Sequence, residues 1–94
     1  MNSTNRRQNP RFETQTGVTL FTKESKMEAT IIDISEGGMG MISEKKVYMG
    51  TEIYTSLKFI NEYALKGTIL WSLNFYRNQK NCYRLGVEIE NIIV

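Results

Sequence analysis

The sequence contains no histidine, one cysteine, one proline and one tryptophan. Each shortage removes a kind of chemistry. Without histidine the chain lacks the side chain that most often serves as general base and metal ligand near neutral pH. The single Cys82 can form no internal disulfide and cannot build a zinc site by itself. Its place before Tyr83-Arg84-Leu85, in a strand-like stretch, fits a small buried apolar residue. No apolar run approaches the roughly 20 residues of a membrane helix. The polar first residues also lack the apolar segment of a signal peptide. A cytoplasmic protein with no membrane insertion is the expectation. No nucleophile elbow or phosphate-binding loop is present. Glu88 and Glu90 share one face of a strand, where a solvated surface explains them better than acid–base work. The sequence therefore predicts no catalytic residue, no metal and no cofactor, and a protein that is not an enzyme.

What is present suits one small domain. The chain has 94 residues, 40% hydrophobic and 23% charged, ordinary values for a globular protein near the small end of what folds unaided. So thin a core suits a compact β-structure or a small helical bundle, and a homo-oligomer is one way to complete it. The formal net charge is only +2, too weak for a general nucleic-acid binder. Its distribution says more. Arg6, Arg7 and Arg11 fall in the first eleven residues, which contain no acid, and the remainder is nearly balanced. Residues 1–11 are otherwise polar and hold the only proline. They read as a flexible arm ahead of a folded body at 12–94.

The body reads as β-structure. Residues 17–22 form a short strand, and residues 27–34 alternate and are rich in β-branched side chains. Between them lies the polar turn Lys23-Glu24-Ser25-Lys26. Ser35-Glu36-Gly37-Gly38 is a second turn, followed by a short strand at 39–42. After a turn at Gly50, residues 52–60 alternate, with Ile53, Thr55, Leu57 and Phe59 on one side. Asn61-Glu62 turns into a long strand at 63–75. Residues 77–81 turn again, and 82–92 is the last strand. Six strands with closely spaced turns and no amphipathic helix predict an all-β fold. A six-stranded antiparallel β-barrel is favoured over a sandwich because closure removes exposed edges.

Two segments carry chemistry. Arg7 and Arg11 are separated by three residues. A guanidinium donates paired hydrogen bonds to a phosphate or to the O6/N7 edge of guanine, and it stacks on bases. In Asp33-Ile34-Ser35-Glu36-Gly37-Gly38, Asp33 and Ser35 lie two apart, on one face of an extended chain. A carboxylate there accepts from guanine N1–H and the exocyclic amine. Gly37 and Gly38 permit unusual backbone angles and close approach of a ligand. The alternative is that Asp33 and Ser35 only cap a turn by bonding their own backbone.

In combination, R-x-x-x-R at Arg7-Gln8-Asn9-Pro10-Arg11, one hairpin, then D-x-S-x-x-G at 33–38 resembles the PilZ domain family. The resemblance continues in Met39-Gly40-Met41, Met49-Gly50-Thr51, Gly67-Thr68-Ile69-Leu70-Trp71 and Tyr83-Arg84-Leu85-Gly86-Val87-Glu88, nearly the whole chain. It implies a PilZ-like six-stranded barrel that binds the second messenger cyclic di-GMP. By that resemblance Arg7 and Arg11 grip guanine and phosphate, Asp33 and Ser35 hold guanine, Gly37 and Gly38 form the turn that Gly38 shapes, and Trp71 lies beside the ligand or packs in the core. A basic residue at Arg6 accompanies two intercalated ligand molecules in the family, so a ligand dimer is expected. Many members carry a C-terminal helix, and here the chain stops at Ile92-Ile93-Val94, so that helix is expected to be short or absent. The apolar end is a candidate contact for another chain. The implied role is a receptor or adaptor whose arm orders on ligand binding and signals to an effector protein. Two other readings stay open: a ligand-independent interaction barrel, and a single-stranded nucleic-acid binder.

Overall fold

The computed structural model describes residues 11–58 and 62–93. Six strands follow one another: β1 (Arg11–Phe21), β2 (Lys26–Ser35), β3 (Gly38–Ser43), β4 (Glu52–Lys58), β5 (Glu62–Arg77) and β6 (Lys80–Ile93). Every pairing is antiparallel, and the sheet closes in the order β1-β2-β3-β6-β5-β4. No helix occurs among the described residues. The all-β barrel expected from the alternating pattern is therefore the fold.

Alternation explains the closure. Leu20, Ile31, Met41, Ile53, Ile69 and Leu85 are almost completely buried, and each comes from a different strand. Together they form a layer inside the barrel, to which every strand contributes one side chain. Ile53, Thr55 and Leu57 are all inward and buried, as their spacing predicted. Val47, in the long connection from β3 to β4, is buried as well. That connection docks on β5, where Gly50 N–H donates to Ile69 O (2.7 Å) and Ile69 N–H donates to Thr51 O (2.9 Å). A barrel filled in this way has no interior room for a ligand, so any site must lie on its outside.

The strand ends differ from the sequence reading in two places. β1 begins at Arg11 rather than at residue 17, because its register with β2 continues to Arg11 opposite Ser35. The last hairpin turns on two residues, not five. Arg77 pairs with Lys80, and Asn78 and Gln79 both take positive φ (52° and 63°), as a type I′ turn requires. The turn after β1 is held by Thr22, whose Oγ1 accepts from the backbone N–H of Glu24 (3.3 Å) and Ser25 (3.1 Å). Cys82 is buried with a free thiol. Phe59 and Asn61 lie outside the described residues, as do Arg6, Arg7 and Val94.

Candidate functional site

Two cross-strand rungs on the outside of the barrel bring most of the predicted residues together. The first runs Arg11 (β1), Ser35 (β2), Gly38 (β3), Glu88 (β6) and Thr68 (β5), each paired with the next. The second runs Glu13, Asp33, Gly40, Gly86 and Trp71 over the same five strands. From Ser35 to Thr68 and from Glu13 to Trp71, residues paired in this way point to the same face of a sheet.

Two irregularities turn the second rung outward. Ile31 pairs with Met41, but the next pair is Asp33 with Gly40, so β2 advances two residues while β3 advances one. Ile69 pairs with Val87, and the next pair is Trp71 with Gly86, so β5 does the same against β6. These are β-bulges, and a bulge moves the following residue to the other face. Ile31 and Ile69 stay in the core, while Asp33 and Trp71 emerge on the surface.

The two glycines at the middle of this rung leave a floor without side chains, and its flanking residues lean over it. A Cβ on Gly40 would meet Asp33 Oδ1 at 2.9 Å, and one on Gly86 would meet Trp71 Cε2 and Nε1 at 2.2 Å. The carboxylate thus covers Gly40, and the indole covers Gly86 on the adjacent strand, about 5 Å away. Asp33 Oδ1 accepts a hydrogen bond from Gly40 N–H at 3.0 Å. Its Oδ2 stands 3.8 Å from Arg84 Nη2. Trp71 is 43% exposed, so it stands at the surface and not in the core, the two places left open for it. The Asp33 carboxylate reaches across to β3 rather than capping its own turn. The Ser35 hydroxyl has no hydrogen-bond partner among the described residues.

Next to this floor, the β2–β3 turn consists of Glu36 and Gly37, since Ser35 pairs with Gly38. Gly37 takes φ 82°, a conformation that glycine alone adopts without strain. Its carbonyl accepts from Ile89 N–H at 2.9 Å, tying the turn to β6. The left-handed residue that shapes this turn is thus Gly37, whereas Gly38 is the first residue of β3. At Gly38 the constraint is space, because a Cβ would meet Val87 O at 3.3 Å.

These groups border an open depression of about 360 Å³, lined by Asp33, Gly37, Gly38, Gly40, Trp71, Arg84, Gly86 and Glu88 among others. That is within the usual range of small-molecule sites. A larger depression of about 790 Å³ lies toward the β5–β6 hairpin, beside Met27, Lys45 and Cys82, and none of the predicted site residues lines it. Among the described residues no His, Cys, Asp and Glu cluster could hold a metal ion, and no helix is long and apolar enough to cross a membrane.

The structure adds Gly40, Arg84, Gly86 and Glu88 to the residues expected at the site. For the two glycines a signal was present in the sequence. Gly40 and Gly86 are the outward positions of the alternating stretches Met39-Gly40-Met41 and Leu85-Gly86-Val87, and a glycine inside a strand marks a close approach. Arg84 carried no such mark, because its relation to Asp33 spans three strands.

The arrangement offers a carboxylate lying over Gly40 and an indole lying over Gly86, side by side on the outer face, with Arg11 and Ser35 on the adjoining rung. No curated protein matches the chain in sequence. Among solved structures it is similar to the Bacillus subtilis inhibitor of motility MotI/DgrA, with TM-score 0.71 and 16% identity, covering 95% of this chain and 44% of that one. It is also similar to the K. pneumonia MrkH–c-di-GMP complex, with TM-score 0.71 and 14% identity, covering 92% of this chain and 45% of that one. The chain thus spans less than half the length of these two. The PilZ domain of Escherichia coli YcgR with c-di-GMP gives TM-score 0.67 and 15% identity, over 92% of this chain and 79% of that one. At such identities these structures share the fold. The PilZ domain family model matches residues 5–94, which takes in both arginines of the first motif, the Asp33 to Gly38 turn and the glycine floor, and the chain belongs to the PilZ domain family.

Proposed function

We propose that this chain is a receptor for cyclic di-GMP that performs no catalysis. The observation that carries the reading is the pair of adjoining rungs on the outer face. The Asp33 carboxylate and the Trp71 indole lie side by side on the second rung, and Ser35, the strand partner of Arg11, lies on the first, which supports a ligand site on this face. A guanine set against these groups meets the Asp33 carboxylate with its N1–H and amino edge, and the Trp71 indole with its ring. Arg7 and Arg11 supply charge for the phosphates and the O6/N7 edge. Family membership supports the reading, as do the two neighbours solved with c-di-GMP.

The remaining steps follow from charge and reach. Residues 1–11 hold three arginines and no acid, so a bound dianion gives this segment a reason to close over the depression. With the extra cation of Arg6, the arm accommodates two intercalated ligand molecules. The closed arm presents a new surface to a cytoplasmic effector protein, by which the domain acts as an adaptor.

Calorimetric titration with cyclic di-GMP, with GTP, cyclic AMP and a short oligonucleotide as controls, tests this directly. Heat with cyclic di-GMP alone, at two molecules per chain, is the expected result. No heat at micromolar protein overturns the receptor reading, and one molecule per chain overturns only the dimeric ligand. Arg11→Ala is expected to abolish the heat and leave the thermal midpoint of the free protein nearly unchanged.

A further inference from the structure

The Asp33 carboxylate is approached from two other strands. Its Oδ1 accepts from Gly40 N–H of β3 at 3.0 Å, and its Oδ2 stands 3.8 Å from Arg84 Nη2 of β6. β3 lies between β2 and β6, so the contact with Arg84 spans two strand spacings, about 10 Å. Two features of the sequence permit it. Arginine is long enough to lean across, and β3 presents Gly40 where a side chain would intrude, since a Cβ there would stand 2.9 Å from Asp33 Oδ1. Arg84 pairs with Ile42, one step along the same face from Gly40, so its side chain runs diagonally toward the carboxylate. The cation is the more exposed partner, at 45% against 18% for Asp33.

The two contacts act differently. The bond to Gly40 fixes one oxygen, but the terminal torsion of an aspartate is broad, so one bond leaves the plane of the carboxylate free to turn. Guanine offers its N1–H and amino group as two parallel donors, and a carboxylate receives both only when its two oxygens face them together. A cation beside Oδ2 sets that plane. At 3.8 Å Nη2 stands beyond hydrogen-bond distance, so it attracts Oδ2 without taking up a lone pair of that oxygen.

We propose that Arg84 is a positioning residue for guanine selection. It acts through Asp33, by setting the plane in which the carboxylate meets the N1–H and amino edge, and it touches no ligand atom. The inference rests on the receptor reading for its ligand, but the effect of Arg84 on Asp33 is measurable in the free protein.

Amide hydrogen exchange of the free protein is the first test. In Arg84→Gln the Gly40 N–H is expected to exchange at least about threefold faster, while Met39 and Met41 keep their rates. The second is calorimetric titration with cyclic di-GMP and with cyclic di-IMP, the analogue lacking the amino group. The parent is expected to prefer cyclic di-GMP by at least about tenfold, as for a hydrogen bond to a charged acceptor. Arg84→Gln is expected to weaken cyclic di-GMP about fivefold and to narrow that preference about threefold. Arg84→Lys supplies a point charge, which suffices where no paired hydrogen bond is made, and is expected to stay within about twofold of the parent in both. Arg84 is half-exposed, so far-UV circular dichroism of the variants is expected to match the parent; should Arg84→Gln not fold, Arg84→Met takes its place. Equal weakening of both nucleotides, the mark of a direct phosphate contact, overturns the positioning role and leaves the receptor reading standing. Unchanged Gly40 exchange, or an Arg84→Lys variant as impaired as Arg84→Gln, overturns it as well. A parent that binds neither nucleotide overturns the receptor reading, and the guanine role of Arg84 falls with it.

Discussion

The barrel is closed in two ways. From β1 through β2, β3 and β6 to β5, backbone ladders run in long register, interrupted at the two bulges that turn Asp33 and Trp71 outward and at further shifts between Glu13 and Thr16 and between Lys66 and Gly67. At the opposite side, among the described residues, β1 and β4 meet at one pair, Phe21 with Tyr54. There a side chain assists the ladder: the hydroxyl of Thr55, itself buried, donates to Thr19 O at 2.8 Å. The candidate site lies wholly on the laddered side. Register fixes where a side chain stands to within a fraction of a strand spacing, and a site built from five strands needs that precision. The seam has only to exclude water, and a single pair with one borrowed hydroxyl does so.

This contrast yields a graded set of expectations. The largest is for Leu85→Ala. Leu85 lies fully buried between the outward residues Arg84 and Gly86, so the cavity is expected to cost about 3 kcal/mol in denaturant unfolding. A loss under about 1 kcal/mol would mean that the laddered side tolerates collapse and holds no fixed register. Asp33→Ala comes next. It strips the acceptor from Gly40 N–H, with an expected loss of about 1–2 kcal/mol, and it also abolishes cyclic di-GMP binding. Asp33→Asn keeps an oxygen for Gly40 and is expected to restore most of the stability but little of the binding. Equal stability of the two variants would show that the bond to Gly40 contributes nothing.

At the seam, Thr55→Val removes the bond to Thr19 and is expected to cost about 1 kcal/mol, read as a lower denaturant midpoint with an unchanged slope. A loss as large as that of Leu85→Ala would erase the difference between the two sides. The smallest stability change is expected from Gly86→Ala, since the exposed Trp71 ring is free to swing away from the new methyl group. Its sign is spectroscopic: tryptophan emission moves to the red as the indole leaves the sheet, and ligand affinity falls because the floor is raised. Unchanged emission would mean that the indole does not rest on Gly86 in solution.

Much of the fold was legible beforehand. Alternation in 27–31, 53–57 and 65–69 marks the core face, and the glycine, asparagine and threonine punctuation marks the turns. The ends were less legible. β1 reaches back to Arg11 because β2 offers it partners, which no local pattern records, and the two-residue turn at Asn78 and Gln79 uses a glutamine where glycine is the usual signal. Within the site, Asp33, Ser35 and the glycine turn were legible as a motif. Gly40 and Gly86 were legible only as glycines inside strands and Arg84 not at all, because their place at the site is a lateral alignment between strands far apart in sequence.

By itself the sequence determined that this chain builds a small antiparallel barrel, that it does so without histidine or an internal disulfide, and that its unbalanced positive charge lies at the N-terminal end. It also supplied the motif pair that indicates a nucleotide ligand. Which way the critical side chains face was decided only in the tertiary structure. Side chains in a strand repeat every two residues, so Asp33 would follow Ile31 inward and Trp71 would follow Ile69 inward. One extra residue in β2 and one in β5 reverse that parity, and those bulges exist only because neighbouring strands impose their own register. The outward carboxylate, the outward indole and the two glycines between them are products of pairing, not of local sequence.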